Sequence, residues 1–219
     1  MRSVDRGKMP DALKQNSKKW TEDLLDALEK GDQEAIKRAK ERARDRYKHQ
    51  EIREALEDMY GEFCCYCETR IGVGSFERIE HRRPMSKFPQ DTFNWNNLHW
   101  ACEICNNSKG DQWDCNNPIL DPTTDTEIIP THIEVFHYTE TTEFDDKTGL
   151  GKTTIKHADL NRPKLARDRH RLCNEVLRLK RDLEAKGKTL SDIQRIKNNI
   201  NKMKTGMYGS CIKRVLEQF

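Results

Sequence analysis

Two cysteine pairs, Cys64-x-x-Cys67 and Cys102-x-x-Cys105, frame a segment that contains Glu80-His81 and a cluster of asparagines, with Asn106 directly after the second pair. Four thiolates in two such knuckles suit the tetrahedral sulfur site of structural zinc. Pairing Cys65 with Cys67 instead gives C-x-C, a spacing less common in knuckles. A closed four-sulfur site keeps no open coordination position, so any reaction falls to the residues it frames. There, a carboxylate and an amide oxygen are hard ligands for a magnesium-type ion, which keeps several waters and also binds phosphate oxygens. A histidine beside them can take a proton from water near neutral pH. A hard cation and a base held together match the needs of phosphodiester hydrolysis. Cys115, Cys173 and Cys211 stand alone and read as packing or surface thiols.

The order of these residues carries a resemblance. Glu80-His81-Arg82-Arg83-Pro84, then Asn97-Leu98, then Cys102-Glu103-Ile104-Cys105-Asn106-Asn107-Ser108-Lys109-Gly110 resembles the pattern E/D-H-x-x-P, N-L, C-x-x-C-N-x-x-K-G of the HNH endonucleases. That resemblance implies an α+β fold: a ββα-metal (HNH, or His-Me finger) core with a four-cysteine zinc site, flanked by N- and C-terminal helices. It implies His81 as the general base that activates water, Glu80 and Asn106 as ligands of a catalytic Mg2+ or Mn2+, and Asn97 as the brace of the loop. Cys64, Cys67, Cys102 and Cys105 would hold structural Zn2+. Asparagine at position 106, where the family often has histidine, keeps an oxygen ligand for a hard cation. Arg82, Arg83 and Lys109 are candidate phosphate contacts; His99 reads as structural, with a further phosphate or metal contact as its alternative, and the tryptophans Trp95, Trp100 and Trp113 read as core residues rather than stacking platforms. SVDRGKMPDAL near the start and ILDP and ADLNRPKLARDR further on extend the similarity, more weakly, to the PtuB-type HNH proteins of retron and Septu anti-phage systems. The resemblance implies a PtuA-type ATPase as partner and a nucleic-acid substrate, DNA first and RNA as the alternative.

Helical flanks must position this segment. Residues 17–30 read as a short helix closed by Gly31, and Asp32 caps a longer one running to about Met59; together 1–60 form a helical region better suited to docking or support than to chemistry. Residues 61–117 form the zinc-stapled core. In 118–160, IEVFHY and KTTIKH suggest extended segments, with GLGK (149–152) as a hairpin turn. Region 161–219 is helical: Pro163 opens one helix with Leu165, Leu172, Val176, Leu179 and Leu183 along its seam and Gly187 at its close, and Leu190 to Met207 trace another.

Composition narrows the class. Charged residues make up 35%, above the ~25% of an average globular domain, so much of the chain is solvated helix surface. The net charge is +3, yet between Arg162 and Lys204 fourteen basic residues face five acidic ones, an excess of nine. Such a stretch can meet phosphate backbones or remain a solvated face. No run approaches the ~18 apolar residues of a membrane span, and charged MRSVDRGKMP lacks the apolar core of a signal peptide. A cytoplasmic protein without a membrane contact is expected. The alternative function is a zinc-stabilised nucleic-acid-binding module without catalysis, and Glu-His-x-x-Pro is the feature such a binder does not need.

Overall fold

The computed structural model describes residues 1–72, 76–185 and 187–219. Among the described residues it is a mixed α+β protein with two short antiparallel sheets. The chain divides into two compact units, Val4–Cys64 with Ile71–Trp113, and Met1–Ser3 with Cys65–Arg70 and Asp114–Phe219. Among the described residues, no helix is long and apolar enough to cross a membrane.

In the first unit, helices α1 (Asp11–Lys30), α2 (Gln33–Tyr47) and α3 (Gln50–Tyr60) precede strand β1 (Glu77–His81), strand β2 (Leu98–Cys102) and helix α4 (Glu103–Lys109). The first helix starts well before residue 17, because Pro10 supplies a preset φ of −58° and its carbonyl accepts from both Leu13 and Lys14. Asp32 caps α2 as expected, accepting from the Ala35 amide at 2.7 Å. The single long helix expected to Met59 is instead two. Lys48 ends α2, and His49 starts α3 at φ −50°, ψ 142° while its ring nitrogen accepts from Glu51 N–H. The break turns Ile52, Leu56 and Tyr60 into the core, where α3 packs on β2. No glycine or proline marks it in the charged run around Lys48, so periodicity continues through it.

Strands β1 and β2 pair with Ile79 opposite Trp100 and Glu80 opposite His99. All five residues of β2 are buried, and α4 follows without a loop and packs on both strands. Trp95 and Trp100 are core residues, as the sequence suggested; Trp113 is half-buried under the guanidinium of Arg82, 5.4 Å from the ring centre.

The second unit holds α5 (Ile128–Thr131), the hairpin β3 (Ile133–His137) and β4 (Thr142–Asp146), then α6 (Leu150–His157), α7 (Pro163–Glu184), α8 (Leu190–Thr205) and α9 (Gly209–Gln218). IEVFHY is extended as expected, but KTTIKH is helical and GLGK is no hairpin turn. The Asp146 carboxylate accepts from the amides of Gly149 and Lys152, which caps α6 and overrides the local β preference. Gly151 must be glycine there, since a Cβ would lie 2.3 Å from the His132 carbonyl oxygen. The hairpin turns instead at Tyr138–Thr141. Side chains close the outer edge of β4: Asn161 bonds both the amide and the carbonyl of Phe144, and the buried Arg169 donates to the Thr142 carbonyl. On α7 the buried stripe is Leu165, Ala166, Arg169, Cys173 and Val176, so only part of the expected leucine seam faces inward. Cys173 packs 3.8 Å from Cys211 of α9.

Candidate active site

The β1–β2–α4 segment brings the candidate residues together. Glu80 and His81 are consecutive at the end of β1, and α4, packed on both strands, adds Asn106 and Lys109. Glu80, His81, Asn106 and Lys109 all line one cavity of about 660 Å³, whose wall also includes Arg44, Tyr47 and Lys48 of the α2 end. Asn97, Arg82 and Arg83 are not part of that lining.

His81 is half-buried, with Nε2 2.9 Å from the Thr92 carbonyl oxygen. A carbonyl only accepts, so Nε2 carries the hydrogen and Nδ1 holds the lone pair. Burial, helped by the Lys109 ammonium and opposed by the Thr92 bond, lowers the imidazole's pKa from 6.5 to about 4. The ring is therefore neutral at pH 7 and competent to accept a proton at Nδ1. A stability effect follows. Below pH 6.5 the unfolded chain binds a proton at this residue that the folded chain refuses until about pH 4. Stability should thus fall as pH drops across that window, by at most about 1.4 kcal/mol per pH unit. Urea midpoints against pH should show this slope, and His81→Gln should flatten it; parallel curves would contradict the burial effect.

Asn97 bonds to backbone on both sides of the loop between β1 and β2. It is buried; its Oδ1 accepts from the Arg83 amide at 2.7 Å, and its Nδ2 donates to the Arg83 and Asp91 carbonyls at 3.0 and 3.1 Å. Asn97→Ala should cost about 2 kcal/mol by leaving those groups unsatisfied, read as a lowered urea midpoint at constant slope. A shift of only a few tenths would mean the loop holds without it.

Lys109 departs from expectation. Its side chain is 1% exposed, with Nζ 2.6 Å from a Glu80 carboxylate oxygen and 2.8 Å from the His81 carbonyl oxygen. It is an internal counter-ion rather than a surface phosphate contact, because α4 lays it directly over the acidic strand position. Arg83 is also committed, pairing with Asp91 at 2.7 Å and covering the Phe88 ring. His99 is buried with Nδ1 2.6 Å from the Tyr60 hydroxyl, which fits the structural reading. Sequence reasoning missed Thr92 and Tyr47. The Tyr47 ring stands edge-on to His81, with centroids 4.7 Å apart. An aromatic residue within an otherwise charged helix end was the only available signal.

The sulfurs of Cys64, Cys67, Cys102 and Cys105 lie within 4.8 Å of one another, and all four residues are buried. Tetrahedral zinc with bonds of about 2.3 Å needs sulfurs somewhat under 4 Å apart, so the cluster could hold zinc after small side-chain movements. The Thr69 hydroxyl contacts Cys67, and the Cys105 amide points at the Cys102 sulfur at 3.5 Å, as thiolate-stabilising donors do. Cys65 is buried outside this group. For a catalytic ion, Glu80 and Asn106 carry oxygen donors of the kind that suits a hard divalent cation; both residues line the cavity, and Lys109 sits beside the Glu80 carboxylate.

No family model matches the chain, and no solved structure matches it significantly. Two curated proteins do. Septu protein PtuB of Bacillus thuringiensis is 36% identical over 111 residues, covering 50% of this chain and 41% of that protein. Septu protein PtuB of Bacillus mycoides (strain KBAB4) is 27% identical over 160 residues, covering 59% and 53%. The chain spans about half the length of these relatives, and over that part it is similar to the Septu PtuB proteins.

Proposed function

We propose that this chain is a metal-dependent HNH-type endonuclease that hydrolyses nucleic-acid phosphodiester bonds, and that it acts as the nuclease of an anti-phage defence complex with a PtuA-type ATPase. One observation carries the catalytic reading. An imidazole kept neutral by burial, with its tautomer set by Thr92, lines the same cavity as Glu80 and Asn106. The defence role and the partner rest on the similarity to the Septu PtuB proteins.

His81 accepts a proton from water at Nδ1, while Nε2–H, bound to the Thr92 carbonyl, keeps the ring from turning. Glu80 and Asn106 would hold Mg2+ or Mn2+, which supplies charge stabilisation for the phosphorane-like transition state and the leaving oxygen. Lys109 pairs with the Glu80 carboxylate and sets its position. Asn97 fixes the loop that carries Arg83, two residues beyond His81. The cysteine cluster, loaded with zinc, ties the end of β2 to α4 and so holds Asn106 opposite β1.

The test is cleavage of plasmid DNA and of total RNA by the full chain, alone and with a co-expressed PtuA-type ATPase, in Mg2+, Mn2+ or chelator. Metal-dependent cleavage is expected. Binding without turnover in every metal, with partner present, would favour the second reading, a zinc-stabilised nucleic-acid-binding module. That reading is favoured by the buried Lys109–Glu80 ion pair, which already satisfies the carboxylate without a divalent ion.

A further inference from the structure

The cavity beside His81 has a second wall that belongs to neither the cysteine frame nor the Glu-His step. It is the C-terminal turn of α2. Arg44, Tyr47 and Lys48, spaced three and four residues apart, present one helix face to the cavity. Three other cations line the cavity, and each has an acidic partner: Arg53 pairs with Glu77, Arg78 with Glu103 and Lys109 with Glu80. Among the described residues, Arg44 and Lys48 have no ion-pair partner, and both are exposed. The position is unfavourable for an anion by itself, because the C-terminal end of a helix carries partial negative charge. Arg44 and Lys48 there offset that field, and with the one further acid of the lining, Asp111, the cations of the wall still outnumber its carboxylates.

We infer that the end of α2 is the substrate-backbone subsite of the nuclease, with Arg44 and Lys48 gripping phosphates beside the scissile one and Tyr47 keying that grip to His81. The inference rests on the endonuclease reading and adds to it the surface that holds the strand. Tyr47 is a positioning residue. Its ring is half-buried, stands edge-on against the imidazole at 4.7 Å between centroids, and lines the same cavity. A phosphate held by the two cations thus lies within the cavity that contains the base. The helical region that sequence patterning assigned to docking or support contributes directly to recognition.

The test measures binding separately from cleavage. The 219-residue chain in His81→Ala background is titrated with fluorescein-labelled duplex and single-stranded DNA over a range of salt concentrations. Arg44→Ala/Lys48→Ala should weaken binding, and the slope of log affinity against log salt should become shallower by about 1 for each lost contact. Lys18→Ala/Lys19→Ala, two exposed lysines on α1, removes the same charge elsewhere and should leave the slope unchanged. All four positions are exposed, so the variants should fold. An unchanged slope in the Arg44/Lys48 variant, from a chain whose wild type cleaves, overturns this inference and leaves the endonuclease reading standing. Equal losses in both double variants also overturn it, since general charge then explains the binding. If the wild type neither binds nor cleaves, the endonuclease reading fails and takes this inference with it.

Discussion

Replacing His81 with alanine should lower the cleavage rate by about 10²- to 10⁴-fold, the span of a positioned general base, with KM changed only a few-fold. The expectation follows from what else lines the cavity. Its arginines offer donors and no acceptor, Lys109 is held by Glu80 and a carbonyl, and the Glu80 carboxylate pairs with Lys109. Only His81 combines a neutral form at pH 7 with a ring nitrogen free to accept. Because Nε2 spends its hydrogen on Thr92, loss of the ring removes the proton acceptor without removing a phosphate-binding charge. The effect should therefore fall on kcat. Initial rates of supercoiled-plasmid nicking in Mg2+ and Mn2+ measure it, and added imidazole should restore part of the activity at the vacated position. A His81→Ala chain that nicks at the wild-type rate would remove this residue from the mechanism.

The second large effect concerns the sulfur cluster. The purified chain should contain one zinc per molecule, and Cys105→Ser should lose both the metal and the ββα fold around it. Structural zinc contributes apparent binding free energies of about 10–16 kcal/mol in small zinc peptides, comparable with or larger than the whole stability of a typical domain. Without the ion, four thiols would crowd one buried spot and α4 would lose its tie to the strands. Elemental analysis together with near-ultraviolet circular dichroism reads both consequences, and a strong chelator should reproduce them in the wild type. Cys65→Ser is the control, because Cys65 is equally buried but lies outside the cluster. It should retain zinc. Full metal content in Cys105→Ser would show that the cluster is only a group of packed thiols.

Chemistry was the most legible part of the sequence, since it resides in residue types at short, countable spacings. The two knuckles named the four sulfurs that the fold gathers, and Glu80-His81 with Asn106 named the wall of one cavity. Element type was legible where the chain carried a local signal, such as Pro163 opening α7, Asp32 capping α2, or the alternation in IEVFHY. It failed where a distant or side-chain partner overrode local preference. KTTIKH became helix because the Asp146 carboxylate, several residues earlier, caps it. The long N-terminal helix broke at Lys48 and His49, where an all-polar run left its periodicity without force.

Residue identity along the chain thus determined which groups could act: the thiols for a soft metal, the oxygens for a hard one, and His81 as the base beside them. Tertiary structure alone decided their states. It turned Lys109 inward onto Glu80, placed Thr92 where it fixes the His81 tautomer, lowered that ring's proton affinity through burial, and swung Tyr47 of a remote helix against it. The reason is physical: a donor atom's type is covalent and travels with the sequence. Its charge, tautomer and partner depend on desolvation and on neighbours that folding brings from tens of residues away.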